Sequence, residues 1–213
     1  MITTKYEIQN TRYGKGYTLI ELLVALIVSS IILAAVATLA FAMSSANDAS
    51  DDTSIKQAQL RYATLRISEL VRHCKLICGT PGNDLAVWKA DTNGNGLINI
   101  NELVYIEREA DANCLSLCEF PASATSTVTL SGIETLSPES YSKSSITRAT
   151  LIPQCSNVTF LTDASPPLTK FLSISFDLVE NNAVRHYQIN TALRGWAGNL
   201  LNAAGDAIVS DDD

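Results

Sequence analysis

The chain has 213 residues and a net charge of −7, with 46% hydrophobic and 17% charged side chains. That length suits one domain plus an appendage, and the acidic balance argues against a duplex-DNA binder that works by neutralising phosphates. The hydrophobicity is concentrated, since 22 of the 27 residues from Tyr17 to Met43 are hydrophobic and Glu21 is the only charge among them; this excludes a multi-span membrane protein, a disordered chain and a cytosolic enzyme built as one globule.

Residues 1–16 are polar and basic, with Lys5, Arg12 and Lys15 against Glu7. The 22 residues from Leu22 to Met43 carry no charge, and as a helix they span about 33 Å, enough to cross a bilayer core. Asp48, Asp51 and Asp52 follow the apolar run. The basic N-terminal flank therefore predicts a cytoplasmic N-terminus and an extracytoplasmic body. A cleaved secretory signal peptide fits poorly, because the apolar run is long and a glutamate stands at its start. A carboxylate there is costly unless it finds a partner.

No glycine or proline occurs from Tyr17 to Cys78, a run of 62 residues closed by Gly79-Thr80-Pro81. This predicts one long helix with a stop signal at its end. Residues 17–43 form its transmembrane half and residues 44–78 its amphipathic half. In the second half Leu60, Ala63, Ile67, Leu70, Val71, Cys74 and Cys78 recur at three- and four-residue steps, one apolar face.

Residues 79–209 read as a β-rich globular head. The predicted strands are Leu85–Ala90, Glu102–Glu107, Ser126–Leu130, Asn157–Leu161, Phe171–Val179 and Ala183–Leu193, with a tight hairpin turn at Glu180-Asn181-Asn182. Half of the 28 residues from Ser123 to Thr150 are Ser or Thr, which predicts long surface loops. Residues 210–213 form an acidic tail. The expected fold class is α+β, a long N-terminal helix packed on an antiparallel β-sheet head.

Asp91-Thr92-Asn93-Gly94-Asn95-Gly96-Leu97-Ile98-Asn99-Ile100-Asn101-Glu102 fits the twelve-residue EF-hand loop pattern, with glycine at position six and glutamate at twelve. Calcium takes six to eight oxygen ligands. Here Asp91, Asn93 and Asn95 side chains, the Leu97 carbonyl, a water at Asn99 and a bidentate Glu102 would supply them. The flanks are strand-like, so the EF-hand helices are absent from the expectation. The alternative is a strand connection that uses two Asn-Gly pairs for positive φ angles. With two carboxylates, affinity belongs at the weak, extracellular end.

The five cysteines fall as Cys74-x3-Cys78, Cys114-x3-Cys118 and Cys155. In an exported body, two bridges from the helix end to the Cys114–Cys118 segment are expected, leaving Cys155 odd. A four-thiolate zinc site and plain buried thiols are the alternatives. His73 and His186 are the only histidines and share no ligand spacing. No nucleophile elbow, phosphate loop, zinc-protease motif or dinucleotide fingerprint is present, so nothing recommends an enzyme.

Gly14-Lys15-Gly16-Tyr17-Thr18-Leu19-Ile20-Glu21-Leu22-Leu23 resembles the processing site of type IV prepilins and type II secretion pseudopilins. The resemblance implies that a prepilin peptidase cuts between Gly16 and Tyr17 and methylates the new N-terminus, making Glu21 the fifth mature residue. The family usually has Phe where Tyr17 stands. Its main structural subunits often carry a proline in the apolar half, which this chain lacks, so the resemblance points to a minor subunit. It implies single-pass storage in the inner membrane, then an extracellular or periplasmic filament. The implied partners are other pilin or pseudopilin subunits, the prepilin peptidase and the inner-membrane assembly platform, not nucleic acid. A filament-tip module for adhesion or DNA uptake, or a signal-anchored extracytoplasmic enzyme, are the alternative functions.

Overall fold

The computed structural model describes residues 16–82, 84–109, 113–136, 138 and 145–209. The leader up to Lys15 and the acidic tail 210–213 lie outside the described residues. The chain forms two compact units, Met1–Ser50 and Asp51–Asp213.

The long helix α1 runs from Leu19 to His73, as a stretch free of glycine and proline should. Helical structure continues through the Ser-, Asn- and Asp-rich stretch 44–53. The helix ends five residues before the predicted limit at Cys78. Cys74 N–H still donates to the Leu70 carbonyl, but Lys75 N–H turns to the Trp88 carbonyl at 2.9 Å. Leu76–Gly79 then form strand β1. Pairing with a neighbouring strand has overridden the helical pattern of the last turn.

The remaining strands are β2 (Leu85–Trp88), β3 (Leu103–Glu109), β4 (Cys114–Glu119), β5 (Thr147–Ile152), β6 (Cys155–Thr162), β7 (Phe171–Glu180) and β8 (Ala183–Ala192). A short helix α2 spans Leu130–Ile133. One antiparallel sheet has the order β1-β2-β3-β4-β5 and a second the order β6-β7-β8. The α+β layout expected from the sequence is the one observed, a long N-terminal helix followed by antiparallel sheets.

The apolar face of the second helical half is buried as its spacing requires. Ala63, Ile67 and Val71 are fully buried and share one core with Ile77, Val87, Leu115, Ile152, Ile174 and Phe176, so residues of both sheets meet the helix there. Cys78 leaves this face and enters a second core. That core lies on the other side of the five-stranded sheet, where Leu76, Trp88 and Tyr105 meet Ile98, Leu130 and Ile133. Tyr105 and Phe120 pack edge to face within it, ring centroids 5.6 Å apart.

Two expectations for the head fail here. Ser126–Leu130 is not a strand: Thr127 makes one isolated bridge to Asn99, and Leu130 opens α2. The Ser- and Thr-rich stretch is not all surface loop, because Leu130 and Ile133 are buried and β5 begins at Thr147. The Asn181-Asn182 turn is as expected, with φ of 49° and 61° and Glu180 paired with Ala183; that is the signature of a two-residue primed turn. Asn181 also ties the hairpin to α1. Its N–H donates to Asp52 Oδ2 at 2.9 Å and its Nδ2 to Thr53 Oγ1 at 3.1 Å.

Candidate functional site

The helix start is built by Thr18 and Glu21. Thr18 N–H (2.9 Å) and Thr18 hydroxyl (3.0 Å) donate to Glu21 Oε2, and Glu21 N–H donates to Thr18 Oγ1 at 3.3 Å. This is a reciprocal capping box, which satisfies helix-end donors that have no intrahelical partner. Thr18 was not singled out in the sequence, although Thr-x-x-Glu before an apolar run is the recognised signal. Tyr17 is 88% exposed. No described atom lies within 4 Å of the place a Cβ on Gly16 would occupy, so the fold itself does not demand glycine there. From Leu19 to Met43 no residue is buried. The helix is long and apolar enough to cross a membrane.

The Asp91–Glu102 loop joins β2 to β3, whose ends pair Trp88 with Leu103. Asp91 organises its first half. Oδ1 accepts from Gly94 N–H (2.8 Å) and Asn95 N–H (3.3 Å), and Oδ2 from Gly96 N–H (2.9 Å), with Lys75 Nζ 3.7 Å away. Asn93 Oδ1 accepts from Asn95 N–H (3.0 Å) and Asn95 Oδ1 from Leu97 N–H (2.8 Å). Gly94 and Gly96 take φ of 70° and 67°, a region in which other residues are strained.

Glu102 organises the second half. It is 3% exposed. Oε1 accepts from Thr92 N–H (2.6 Å) and hydroxyl (2.7 Å), and Oε2 from Trp88 Nε1 (3.2 Å) and Asn99 N–H (3.3 Å). Burial pushes both carboxyls up, but their hydrogen bonds outweigh it: Thr92, Trp88 and Asn99 hold Glu102 below the ordinary range, and the glycine amides and Lys75 do so for Asp91. Of the predicted cation ligands, Asp91 is therefore oriented, whereas Glu102 is committed to four protein donors. Asn99 Oδ1 is buried with no hydrogen-bond partner. Among the described residues, no group of three or more His, Cys, Asp or Glu side chains is placed to hold a metal ion. Thr92, Trp88 and Lys75 were missed as parts of this loop, because a linear pattern marks ligands and not the donors that pin them.

The expected disulfides are not formed. All five cysteines are buried free thiols. Cys74 belongs to the helix-side core and Cys118 to the opposite one. Cys78 and Cys118 share a face, yet β2 and β3 stand between their strands. Three strand spacings separate them by about 14 Å, beyond the reach of a disulfide. Cys118 instead donates to Glu107 Oε2 at 2.8 Å, and Arg148 Nη2 lies 3.2 Å from the same oxygen. Burial, then the Glu107 carboxylate, pushes the Cys118 thiol up to about 12. His186 pairs with Asp177 at 2.8 Å on the surface, and His73 Nδ1 lies 2.9 Å from the Glu69 carbonyl.

The helix start matches the family model of the prokaryotic N-terminal methylation motif, over residues 11–37. The N-terminus is of the pilin and pseudopilin type. The matched residues include Gly16, Tyr17, Thr18, Glu21 and the first part of the apolar run, and none of the head. No curated protein and no solved structure matches the chain. The family that carries this motif is structural rather than enzymatic, and the motif in general implies processing by prepilin peptidase and assembly with other pilin subunits. The exposed apolar helix that carries the motif suits single-pass membrane anchoring, as in pilin-type proteins.

Proposed function

We propose that the chain is a minor pilin or pseudopilin, cut between Gly16 and Tyr17, N-methylated, held in the inner membrane with its head outside, and drawn from there into a type IV pilus or a type II secretion pseudopilus. The observation that carries this reading is the methylation motif on an uncovered apolar helix that opens with the Thr18–Glu21 capping box.

The Glu21 carboxylate is the assembly element. Both Thr18 donors use Oε2, which leaves Oε1 to face the α-amino group of a neighbouring subunit's Tyr17. Each charge is costly in hydrocarbon alone and tolerable as a pair, so the contact sets axial register. Further along α1, Ile55, Ala58, Tyr62 and Leu65 are all exposed. Their 3-4-3 spacing makes an apolar seam on the side of the helix away from Ala63 and Ile67, the form of a helix–helix contact. In cells, Glu21→Gln is expected to yield a processed subunit that stays in the membrane fraction. Wild-type recovery of Glu21→Gln in sheared filaments would overturn the assembly role.

We further propose that the Asp91–Glu102 loop takes calcium weakly. Asp91 is already aimed by three amides, Asn93 and Asn95 lie beside it in sequence, and the buried Asn99 oxygen lacks a partner. The cation would have to compete with Lys75 and draw Glu102 from its four donors, which keeps affinity in the millimolar class of extracellular sites. Calorimetry and a calcium-dependent melting shift test it. No shift, or one undiminished in Glu102→Gln, refutes calcium binding at this loop.

A further inference from the structure

Asn93-Gly94 and Asn95-Gly96 are the only two Asn-Gly pairs of the chain. Such pairs are the sequence context in which an asparagine side chain deamidates most readily, because glycine has no Cβ to hinder attack by its own nitrogen. In that reaction the glycine nitrogen loses its proton and bonds to the asparagine Cγ. The Cγ–Nδ2 bond breaks, ammonia departs with the proton, and a succinimide ring remains. Water then opens the ring to aspartate or isoaspartate.

Both attacking nitrogens are held by one side chain. Gly94 N–H donates to Asp91 Oδ1 at 2.8 Å and Gly96 N–H to Asp91 Oδ2 at 2.9 Å. The electrophiles are held as well, since Asn93 Oδ1 accepts from Asn95 N–H and Asn95 Oδ1 from Leu97 N–H. Each asparagine side chain is thus fixed by the amide two residues on. The loop is open to water at Asn93 and Gly94, so burial does not protect it.

We propose that Asp91 guards this loop chemically, with its two carboxylate oxygens suppressing succinimide formation at Asn93 and Asn95 together. To attack, a glycine amide must leave a charged acceptor and swing its peptide plane. The hydrogen bond alone sets the slowing at about tenfold or more.

The test ages the full chain in detergent with a chelator at neutral pH and follows ammonia loss and isoaspartate by peptide mapping. Wild-type chain in denaturant supplies the unprotected rate. Folded wild type is expected to be at least about tenfold slower at both sites. Asp91→Ala is expected to approach the unprotected rate at both. Asp91→Asn keeps the side-chain shape and one acceptor oxygen, so its summed rate should fall between the two. Folding of each variant is followed by far-ultraviolet circular dichroism. A folded Asp91→Asn that ages at the wild-type rate, or a folded wild type that ages at the denatured rate, overturns the proposal.

Discussion

Glu102 gives the sharpest test of how the head is held together. Its two oxygens receive four donors, two from Thr92, one from the Trp88 ring and one from the Asn99 amide. In Glu102→Gln one oxygen becomes a donor. The least costly orientation leaves the amide oxygen on the buried Trp88 and Asn99 side and turns the NH2 to the Thr92 hydroxyl, which can reverse and accept. The Thr92 N–H then loses its partner, and the surviving bonds change from charge-assisted to neutral. One unsatisfied donor and weakened neighbours set the loss at about 2 kcal/mol. Glu102→Ala removes every acceptor and strands two buried donors besides, for about 4 kcal/mol. With the head and its helical half counted as one cooperative body, those losses correspond to melting shifts of about 4–8 °C and 8–16 °C. Thermal unfolding in chelator, followed by near-ultraviolet circular dichroism at the tryptophans, measures both. Variants within about 0.5 kcal/mol of wild type would refute Glu102 as a structural hub.

Ile67 is fully buried at the centre of the helix-side core, so Ile67→Ala should cost about 3–4 kcal/mol, read by urea titration. Asn181→Ala places a Cβ residue at φ 49° and cuts the ties to Asp52 and Thr53; a loss of about 1–3 kcal/mol is expected by the same titration. Asp91 and Glu102 are both held below their ordinary values. Their stabilisation is therefore complete above about pH 4.3 and falls away as acid titrates through the lower folded values. Unfolding midpoints should drop on acidification below about pH 4, and by less in Glu102→Gln than in wild type.

The long helix, about the first third of the chain, was legible in the sequence because its signals are redundant. The apolar run and the absence of glycine and proline agree on a helix over what became Leu19–His73. The apolar steps at Ala63, Ile67 and Val71 named the buried face correctly, and Asn181-Asn182 named the hairpin. The errors lie where a residue's neighbours are far away in sequence. Leu76–Gly79 have helical spacing, and only the partner strand at Ala86 to Trp88 makes them β1. Cys114–Glu119 form an interior strand, yet four of its six residues are Ser, Cys or Glu and they alternate onto two buried faces, so no polar stripe announced them. Leu130 and Ile133 sit in a Ser- and Thr-rich stretch, and they are buried against one face of the five-stranded sheet, at Leu76, Trp88 and Tyr105, which is far from them in sequence. The cysteines are the plain buried thiols of the alternative reading and not the expected bridges, since the order of strands, and not the spacing of thiols, decides which can meet.

At the candidate sites the linear pattern found the carboxylates and missed the donors. Glu21 and Glu102 each stood out as a glutamate at a meaningful position. What each does in the folded chain is accept hydrogen bonds, from Thr18 in one case and from Thr92, Trp88 and Asn99 in the other. Both glutamates are thus parts of local architecture before they meet any partner, and any assembly or cation role builds on that.

The central claim concerns the N-terminus, and intact-mass and N-terminal peptide mass spectrometry of the protein from its native membrane tests it most directly. The account expects a chain that begins at N-methylated Tyr17 and has shed Lys5, Arg12, Lys15 and Glu7, which moves the net charge from −7 to −9. A mature chain that retains Met1 and the intact Gly16–Tyr17 bond would contradict it.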